Sequence, residues 1–164
     1  EVLMDGDHAL ERCSEVTENY LRIVFNQLYI QSAILEGLIL KTNMVLPGLT
    51  CPVQNIVEDI ADATVKCLMR AAPAAVPGIA FLSGGQPSKL ASARLNAMNI
   101  GDRFRQPWAL TFSFSRALQQ PVMDIWNGHD DNILAAQKAL LHRARCNWAA
   151  CRGEYSSTME EECE

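Results

Sequence analysis

Long apolar runs are missing from this sequence. Its hydrophobic stretches are interrupted by Lys, Glu, Asn or Gly well short of the roughly 20 residues that a transmembrane helix requires. No basic segment precedes an apolar one at the N-terminus, so a secretory signal is not predicted either. The absence of both features predicts a cytoplasmic protein that does not use a membrane as a partner.

An excess of positive charge is missing as well. The 19 acidic and 14 basic residues give a formal net charge of -5. A general nucleic-acid-binding protein needs a basic face to meet the phosphate backbone. Nucleic acid is therefore not expected as a partner, and any anion that the chain binds must be held by a local site.

The sequence also lacks the usual metal-binding patterns. Its six cysteines form no C-x-x-C pair and no Cys/His spacing that suits zinc, so we expect free thiols and no metal. Cys13 and Cys67 lie among apolar residues at helical spacing, which predicts small core hydrophobes rather than ligands. His8, His129 and His142 have no carboxylate or nucleophile at a suggestive spacing, and surface or structural roles are expected for them.

The apolar pattern predicts helices that alternate with buried strands. Helices are predicted over residues 7–31, 55–72, 87–98, 118–126 and 131–151, and strands over 34–45, 79–82 and 108–114. Asp7 is predicted to cap the first helix, and Asn55 and Glu58 to form a capping box at the second. The acidic segment 156–164 is predicted to be a disordered tail that follows one folded unit, 1–155.

This alternation is typical of a parallel α/β fold. Three strands cannot close a barrel, and an open sheet of this size would leave unpaired edges and one uncovered face. The chain also begins at Glu1 rather than at an initiator Met. We therefore expect it to be part of a longer protein that supplies further strands.

Lys41 lies near the end of the first predicted strand. Strand alternation places Ile39 and Lys41 on one face and Leu38 and Leu40 on the other. If the leucines face the helices, Lys41 faces the interior of the barrel. A low dielectric there favours the neutral amine that Schiff-base chemistry requires. The alternative is a strand-end lysine that simply emerges into solvent.

Two further features could hold an anion. The turn Ser83-Gly84-Gly85 follows the second strand and precedes a helix, so backbone N–H groups and a helix N-terminus could face a ligand. Arg116 follows the third strand by two residues and could add a guanidinium. Taken separately, a plain turn and a surface arginine remain open as alternatives.

Five segments in order resemble one enzyme family. They are residues 35–48 (LEGLILKTNMVLPG), 73–78 (PAAVPG), 81–86 (FLSGGQ), 95–99 (LNAMN) and 107–114 (PWALTFSF). In these segments the chain is similar to the C-terminal half of class I, Schiff-base-forming fructose-bisphosphate aldolases, and the similarity extends from Glu1 to about Tyr155. The fold that this resemblance implies is α/β, a partial (β/α)8 barrel comprising about the last three strands with their helices.

The resemblance also implies a reaction and a site. It implies reversible cleavage of fructose 1,6-bisphosphate to dihydroxyacetone phosphate and glyceraldehyde 3-phosphate in glycolysis and gluconeogenesis, with no metal or other cofactor. The substrate would form an imine with Lys41, and Glu1 would lie close to the reacting carbons as a second catalytic residue. The substrate phosphate would be held by residues of two loops, namely Ser83, Gly84, Ser115 and Arg116. Complete members of the family are expected to be homo-oligomers.

Two substitutions and a missing half depart from the family pattern. Thr42 replaces a proline directly after the lysine, and Ser115 replaces Gly or Ala directly before the arginine. A second lysine, an aspartate and the principal acid/base glutamate belong to the N-terminal half of the family's barrel and have no counterpart here. The isolated chain is therefore expected to be inactive. The alternative function is a truncated, non-catalytic half-barrel that at most binds sugar phosphates or associates with an intact subunit.

Overall fold

The computed structural model describes residues 1–101 and 105–161. Its strands are β1 (Ile39–Thr42), β2 (Gly78–Phe81) and β3 (Ala109–Phe112), and its helices are α1 (Leu10–Ile30), α2 (Val57–Ala71), α3 (Ser88–Asn99), α4 (Arg116–Trp126) and α5 (Ile133–Cys151). Three short 3-10 turns cover Leu35–Gly37, Asp130–Asn132 and Ser157–Glu160. The predicted alternation of helices and strands is confirmed.

The three strands form one parallel sheet in the order β1-β2-β3. Leu40, Ile79 and Leu110 lie side by side across it, and all three are buried. They belong to the same apolar cluster as side chains of five helices, among them Leu21, Phe25, Ile60, Leu68, Leu95, Ala117 and Ala150. Burial of each large side chain of this kind contributes about 1.5–3 kcal/mol, so this helical layer holds the sheet in place.

The opposite face of β1 is open. Ile39 is 67% exposed and Lys41 is also exposed, whereas Leu40 and Thr42, which alternate with them, are buried. Parallel sheets are normally covered on both faces. The fold is therefore an α/β layer with one bare face, as predicted for a partial barrel. Within residues 1–101 and 105–161, no helix is long and apolar enough to span a bilayer.

Both predicted helix caps are wrong. Helix α1 begins at Leu10 after Ala9, and α2 begins at Val57 after Ile56, and neither start has a side-chain cap. At α1 the cause is tertiary: the carbonyls of Met4, Gly6 and His8 accept hydrogen bonds from residues 48–50, so this segment, with Asp7 in it, runs along another loop. At α2 the helix starts too late for Asn55 to reach its first turn.

Other boundaries differ by a few residues. Strand β1 is shorter than the predicted 34–45, because Leu35–Gly37 form a 3-10 turn. Helix α4 begins two residues earlier than predicted, so Arg116 is its first residue rather than part of a loop. These shifts leave the order of elements unchanged.

The predicted disorder of the tail is wrong at its start. Ser157–Glu160 form a 3-10 turn, and the Glu160 carboxylate accepts hydrogen bonds from Arg143 Nη1 at 2.6 Å and from the Tyr155 hydroxyl at 2.8 Å. Arg143 is buried on α5, so it needs a partner of opposite charge. The acidic composition predicted a solvated tail, but Glu160 is hydrogen-bonded to the folded part of the chain. Residues 162–164 of the predicted tail lie outside the described residues.

Candidate active site

Lys41 occupies the face of β1 that the sequence predicted. It lies next to Ala80 across the β1–β2 ladder, so the neighbouring strand places only a small residue beside it. The lysine faces away from the helices, but its side chain is exposed because nothing among the described residues covers this part of the sheet. Lys41 therefore lies on the face predicted to be the inner one, and it is also exposed to solvent.

A buried polar network anchors the end of β1. The Tyr20 hydroxyl is hydrogen-bonded to the Thr42 hydroxyl and donates to Asn43 Oδ1 at 3.0 Å. Asn43 Nδ2 donates to Thr17 Oγ1 at 3.2 Å. Burial raises the pKa of Tyr20, which keeps its hydroxyl protonated as a donor. Thr42, which replaces the family's proline directly after the lysine, is thus held by its side chain.

The N-terminal segment is joined to the same network. The backbone N–H of Val2 donates to Asn43 Oδ1 at 3.1 Å, and Leu49 N–H donates to the Met4 carbonyl at 2.8 Å. Residues 1–5 therefore run beside the loop that follows β1. This placement brings Glu1, predicted to lie near the site, to the end of the strand that carries Lys41.

Glu1, Gly84 and Arg116 line a single cavity. Its volume is about 90 Å³, and its other lining residues are Val2, Leu3, Met4, Asp5, Leu49, Leu82 and Gly85. Pockets for drug-sized ligands usually measure about 300–1,000 Å³. This cavity is therefore suited to one small polar group, such as the phosphate of a larger ligand.

The turn after β2 brings its backbone close to Arg116. Gly84 and Gly85 have φ values of +56° and +88°, a backbone region that residues with a side chain rarely adopt. A Cβ atom built on Gly85 would lie 3.5 Å from Arg116 Nη2, an ordinary van der Waals contact, so the guanidinium lies close to this glycine. Arg116 also begins α4, and the positive end of a helix favours an anion at the same place.

The other predicted site residues lie outside the lining of this cavity. Ser83 is buried, and its carbonyl accepts a hydrogen bond from Gln86 N–H at 3.0 Å. Ser115 is exposed and directly precedes α4. Neither residue lines the cavity, and Lys41 does not line it either. The structure thus brings together Glu1, Gly84 and Arg116, and leaves the remaining predicted residues around them.

Sequence reasoning did not single out two residues of this region. Asp5 lines the cavity, and Tyr20 supports the loop after Lys41. No local signal indicates Asp5, and helical spacing cannot show that the Tyr20 hydroxyl reaches a strand end.

The buried cysteines of α1 and α2 are not nucleophiles. Cys13 and Cys67 are both buried, as predicted for small core residues. Burial raises the pKa of the Cys13 thiol, and burial together with the charge of Glu18 raises the pKa of Cys67 to about 12. Both thiols therefore stay protonated at neutral pH and react slowly.

One group of side chains has the chemistry of metal ligands. Across residues 1–101 and 105–161 a single such cluster is found, formed by His142, Cys146 and Glu160. It joins α5 to the turn at Ser157–Glu160 and contributes nothing to the cavity beside Arg116. The expectation that His142 has no nucleophile or carboxylate at a suggestive spacing is wrong, because Cys146 lies one turn along the same helix. Glu160 was missed because it lies in the segment predicted to be disordered.

Comparison with known proteins places the whole chain in one group. The family model described as fructose-bisphosphate aldolase class-I matches residues 1–164. Aldolase B of Gallus gallus is 51% identical over 155 residues, covering 94% of this chain and 42% of that protein. The fructose-bisphosphate aldolase of Dictyostelium discoideum is 47% identical over 156 residues, covering 95% of this chain and 43% of that protein.

A solved structure agrees with the sequence relatives. The fructose-bisphosphate aldolase of Plasmodium falciparum, in complex with TRAP and a small-molecule inhibitor, superposes with a TM-score of 0.90 at 42% identity. The match covers 94% of this chain and 44% of that one. The chain therefore spans less than half the length of these relatives. It belongs to the class I fructose-bisphosphate aldolase family.

Proposed function

We propose that this chain provides the Schiff-base half of a class I fructose-bisphosphate aldolase that cleaves fructose 1,6-bisphosphate reversibly. The observation that supports this most directly is the common cavity of Glu1, Gly84 and Arg116, which the Val2–Asn43 hydrogen bond ties to the end of the Lys41 strand. The proposed setting is the cytoplasm, in glycolysis and gluconeogenesis. The complete protein is proposed to act as a homo-oligomer.

In the proposed reaction, the neutral amine of Lys41 adds to the ketone carbonyl, and loss of water leaves an iminium. Cleavage of the bond between the third and fourth carbons sends its electron pair into the iminium and forms an enamine. The hydroxyl on the fourth carbon loses its proton, and that half leaves as glyceraldehyde 3-phosphate. Protonation of the enamine and hydrolysis then release dihydroxyacetone phosphate and restore the lysine.

The phosphate positions the substrate for this chemistry. Arg116 supplies a charged donor, and the turn at Ser83 and Gly84 supplies backbone groups, with Ser115 at the start of α4. Glu1 is exposed beside the same cavity, where its carboxylate can exchange protons with the reacting end of the substrate. None of these steps requires a metal ion.

A separate observation supports a second function. Ile39 and Lys41 lie on a bare face of the sheet, and the chain spans 42% of the length of aldolase B from Gallus gallus. Lys41 is therefore surrounded by water rather than desolvated in a hydrophobic pocket, where Schiff-base lysines are activated. This supports a non-catalytic half-barrel that binds sugar phosphates or associates with an intact subunit.

Borohydride trapping separates the two functions. The chain is incubated with dihydroxyacetone phosphate and reductant, alone and after addition of a matching N-terminal half of an aldolase barrel, and adducts are located by peptide mass mapping. We expect slow or no trapping by the isolated chain, and an adduct on Lys41 together with cleavage of substrate in the complemented protein. Lys66→Arg, which changes a lysine on α2, is the matched control for Lys41→Arg.

Two results would contradict the catalytic proposal. One is an adduct and substrate cleavage that persist in the complemented Lys41→Arg variant. The other is a complemented barrel that binds sugar phosphate with Lys41 present but forms no adduct and does not cleave, which would favour the non-catalytic function.

A further inference from the structure

His142 and Cys146 present two metal-ligand atoms side by side on α5. They are four residues apart on the helix, so both lie on one face, and His142 Nε2 is 3.6 Å from Cys146 Sγ. Zinc bonds of about 2.3 Å to sulfur and 2.0–2.1 Å to nitrogen, at a tetrahedral angle, place the two ligand atoms roughly 3.5 Å apart. The pair is therefore already spaced as two ligands of one tetrahedral ion.

Glu160 supplies a third donor from another part of the chain. Its Oε2 lies 3.9 Å from His142 Nε2, and the ligand atoms of all three residues lie within 4.8 Å of one another. Its other oxygen, Oε1, accepts the hydrogen bond from Tyr155. The carboxylate is thus oriented with Oε2 toward the histidine. A small movement of Glu160 would bring Oε2 to bonding distance of an ion held by His142.

The cluster is enclosed, which distinguishes it from acidic groups on a surface. Cys146 is fully buried, and the side chains of His142 and Glu160 are only 16% and 7% exposed. His142 and Glu160 also line a cleft of about 530 Å³ that the cysteine does not reach. An ion could enter through this cleft and would meet the thiolate at the inner end.

The charges near the cluster are of both signs. A thiolate and a carboxylate together carry two negative charges, which match a doubly charged ion, whereas Arg143 and Lys89 place positive charges near the carboxylate. Arg143 Nη1 donates to both oxygens of Glu160 at 2.6 Å, and Arg143 Nη2 donates to Ser92 Oγ at 2.7 Å. This basic group holds the carboxylate in place as an outer-shell partner does at known metal centres, although it also competes for the carboxylate.

We propose that His142, Cys146 and Glu160 form a Zn²⁺ site that fastens the C-terminal turn to α5. A thiolate and an imidazole favour zinc over magnesium or calcium, which prefer oxygen ligands. The fourth position faces the cleft and is available to water. This site shares no residue with the cavity of Glu1, Gly84 and Arg116, and it does not depend on the aldolase reaction.

Cobalt and zinc titrations of the full chain test this site. After treatment with a chelator, Co²⁺ is added, and tetrahedral d–d bands with a thiolate-to-cobalt charge-transfer band are measured by absorption. Zn²⁺ affinity is then measured by competition with a chromophoric chelator. We expect one ion per chain, and a rise in melting temperature when zinc is added.

Matched variants on and near the same helix assign the ligands. Cys146→Ser is expected to abolish the charge-transfer band, and His142→Gln to weaken Zn²⁺ binding at least about tenfold. Cys151→Ser and His129→Gln change the same residue types outside the cluster and should leave binding unchanged. His142 is partly exposed, so its variant remains informative if Cys146→Ser fails to fold.

The proposal is overturned by any of three results. These are no stoichiometric binding of Zn²⁺ or Co²⁺ by the unmodified chain, a charge-transfer band that persists in Cys146→Ser, or a His142→Gln variant that binds zinc as tightly as His129→Gln does.

Discussion

The backbone N–H of Val2 donates a hydrogen bond to Asn43 Oδ1 across 3.1 Å, although the two residues are 41 positions apart in the chain. The same oxygen accepts from the Tyr20 hydroxyl, so one amide side chain joins the N-terminal segment, α1 and the end of β1. The arrangement of the candidate site therefore depends on a residue that does not line its cavity.

Replacement of Asn43 by Ala should destabilise the fold. It leaves the Val2 N–H without its acceptor and removes one of the two partners of the Tyr20 hydroxyl in a partly buried region. A buried polar group that loses its partner costs about 1–3 kcal/mol. The free energy of unfolding, measured with urea, is expected to fall by at least about 1 kcal/mol. Asn19→Ala, which changes an exposed position of α1, is the control and should cause no comparable loss. Equal stability of the two variants would refute the structural role given to Asn43.

Replacement of Arg116 by Ala should weaken the binding of sugar phosphate. Loss of a charge-assisted hydrogen bond typically costs about 1.5–3 kcal/mol, which corresponds to an affinity lower by roughly 10- to 150-fold. Calorimetric titration with dihydroxyacetone phosphate, in the complemented barrel, measures this change. Arg145→Ala removes an exposed positive charge from α5 and controls for the change in net charge. Unchanged affinity in Arg116→Ala would mean that the phosphate binds elsewhere.

Replacement of Gly85 by Ala should impair both stability and phosphate binding. The φ value of +88° is unfavourable for alanine, and relief of this strain would shift the turn that lies close to Arg116; the new methyl group itself makes only an ordinary contact, at 3.5 Å from Arg116 Nη2. We expect a loss of about 1 kcal/mol of stability, together with weaker binding in the titration used for Arg116. Gly37→Ala is the control, because Gly37 has no positive φ and its added methyl group meets nothing within 4 Å. Comparable losses in both variants would show that the turn conformation is not the cause.

The isolated chain should self-associate through the bare face of its sheet. Ile39 is 67% exposed there, and parallel sheets with open faces and edges are prone to association. Sedimentation velocity is expected to show species larger than a monomer, with a smaller share in Ile39→Lys. Leu134→Lys introduces the same charge at an exposed position of α5 and should have less effect. A compact monomer that melts cooperatively would contradict this prediction.

Glu160 should make the stability of the chain depend on pH in acid. Burial tends to raise the pKa of Glu160, but hydrogen bonds from Arg143 and Tyr155 outweigh it and hold the pKa below its ordinary value. The folded state then binds its proton less readily than the unfolded state, whose glutamate pKa is about 4.3. The stabilisation is complete above that value and is lost as pH falls through the folded pKa.

Melting temperature measured against pH in the presence of a metal chelator tests this sign. The unmodified chain is expected to lose more stability between about pH 5 and pH 3 than Glu160→Gln does. Glu161→Gln changes the neighbouring exposed glutamate and should follow the unmodified chain. A Glu160→Gln profile parallel to that of the unmodified chain would contradict the assigned pKa shift.

The periodic parts of the fold were predictable, because burial on one face repeats along the sequence. Alternation predicted that Ile39 and Lys41 share one face of β1 and that Leu40 lies on the other, and the structure shows this arrangement, with Leu40 packed against the helices. The Gly-Gly pair and Arg116 pointed to an anion site, and the structure places both at one cavity. Their roles in binding and catalysis stay predictions.

Contacts between distant segments were not predictable from local pattern. Asp7 had the chemistry of a helix cap, but its backbone follows the loop at residues 48–50. Glu160 lies in a segment whose composition indicates disorder, but hydrogen bonds from Tyr155 and from the buried Arg143, 17 residues away, give it a fixed place. In each case a specific tertiary partner outweighed the local preference.

The bare face of β1 links the assembly of this protein to its chemistry. Ile39 and Lys41 are neighbours on that face, so any surface that shields the isoleucine from water also removes water from around the amine. Docking of further strands would desolvate Lys41, as activation of a Schiff-base lysine requires. Under the proposed function, the lysine would therefore react only once another surface covers this face.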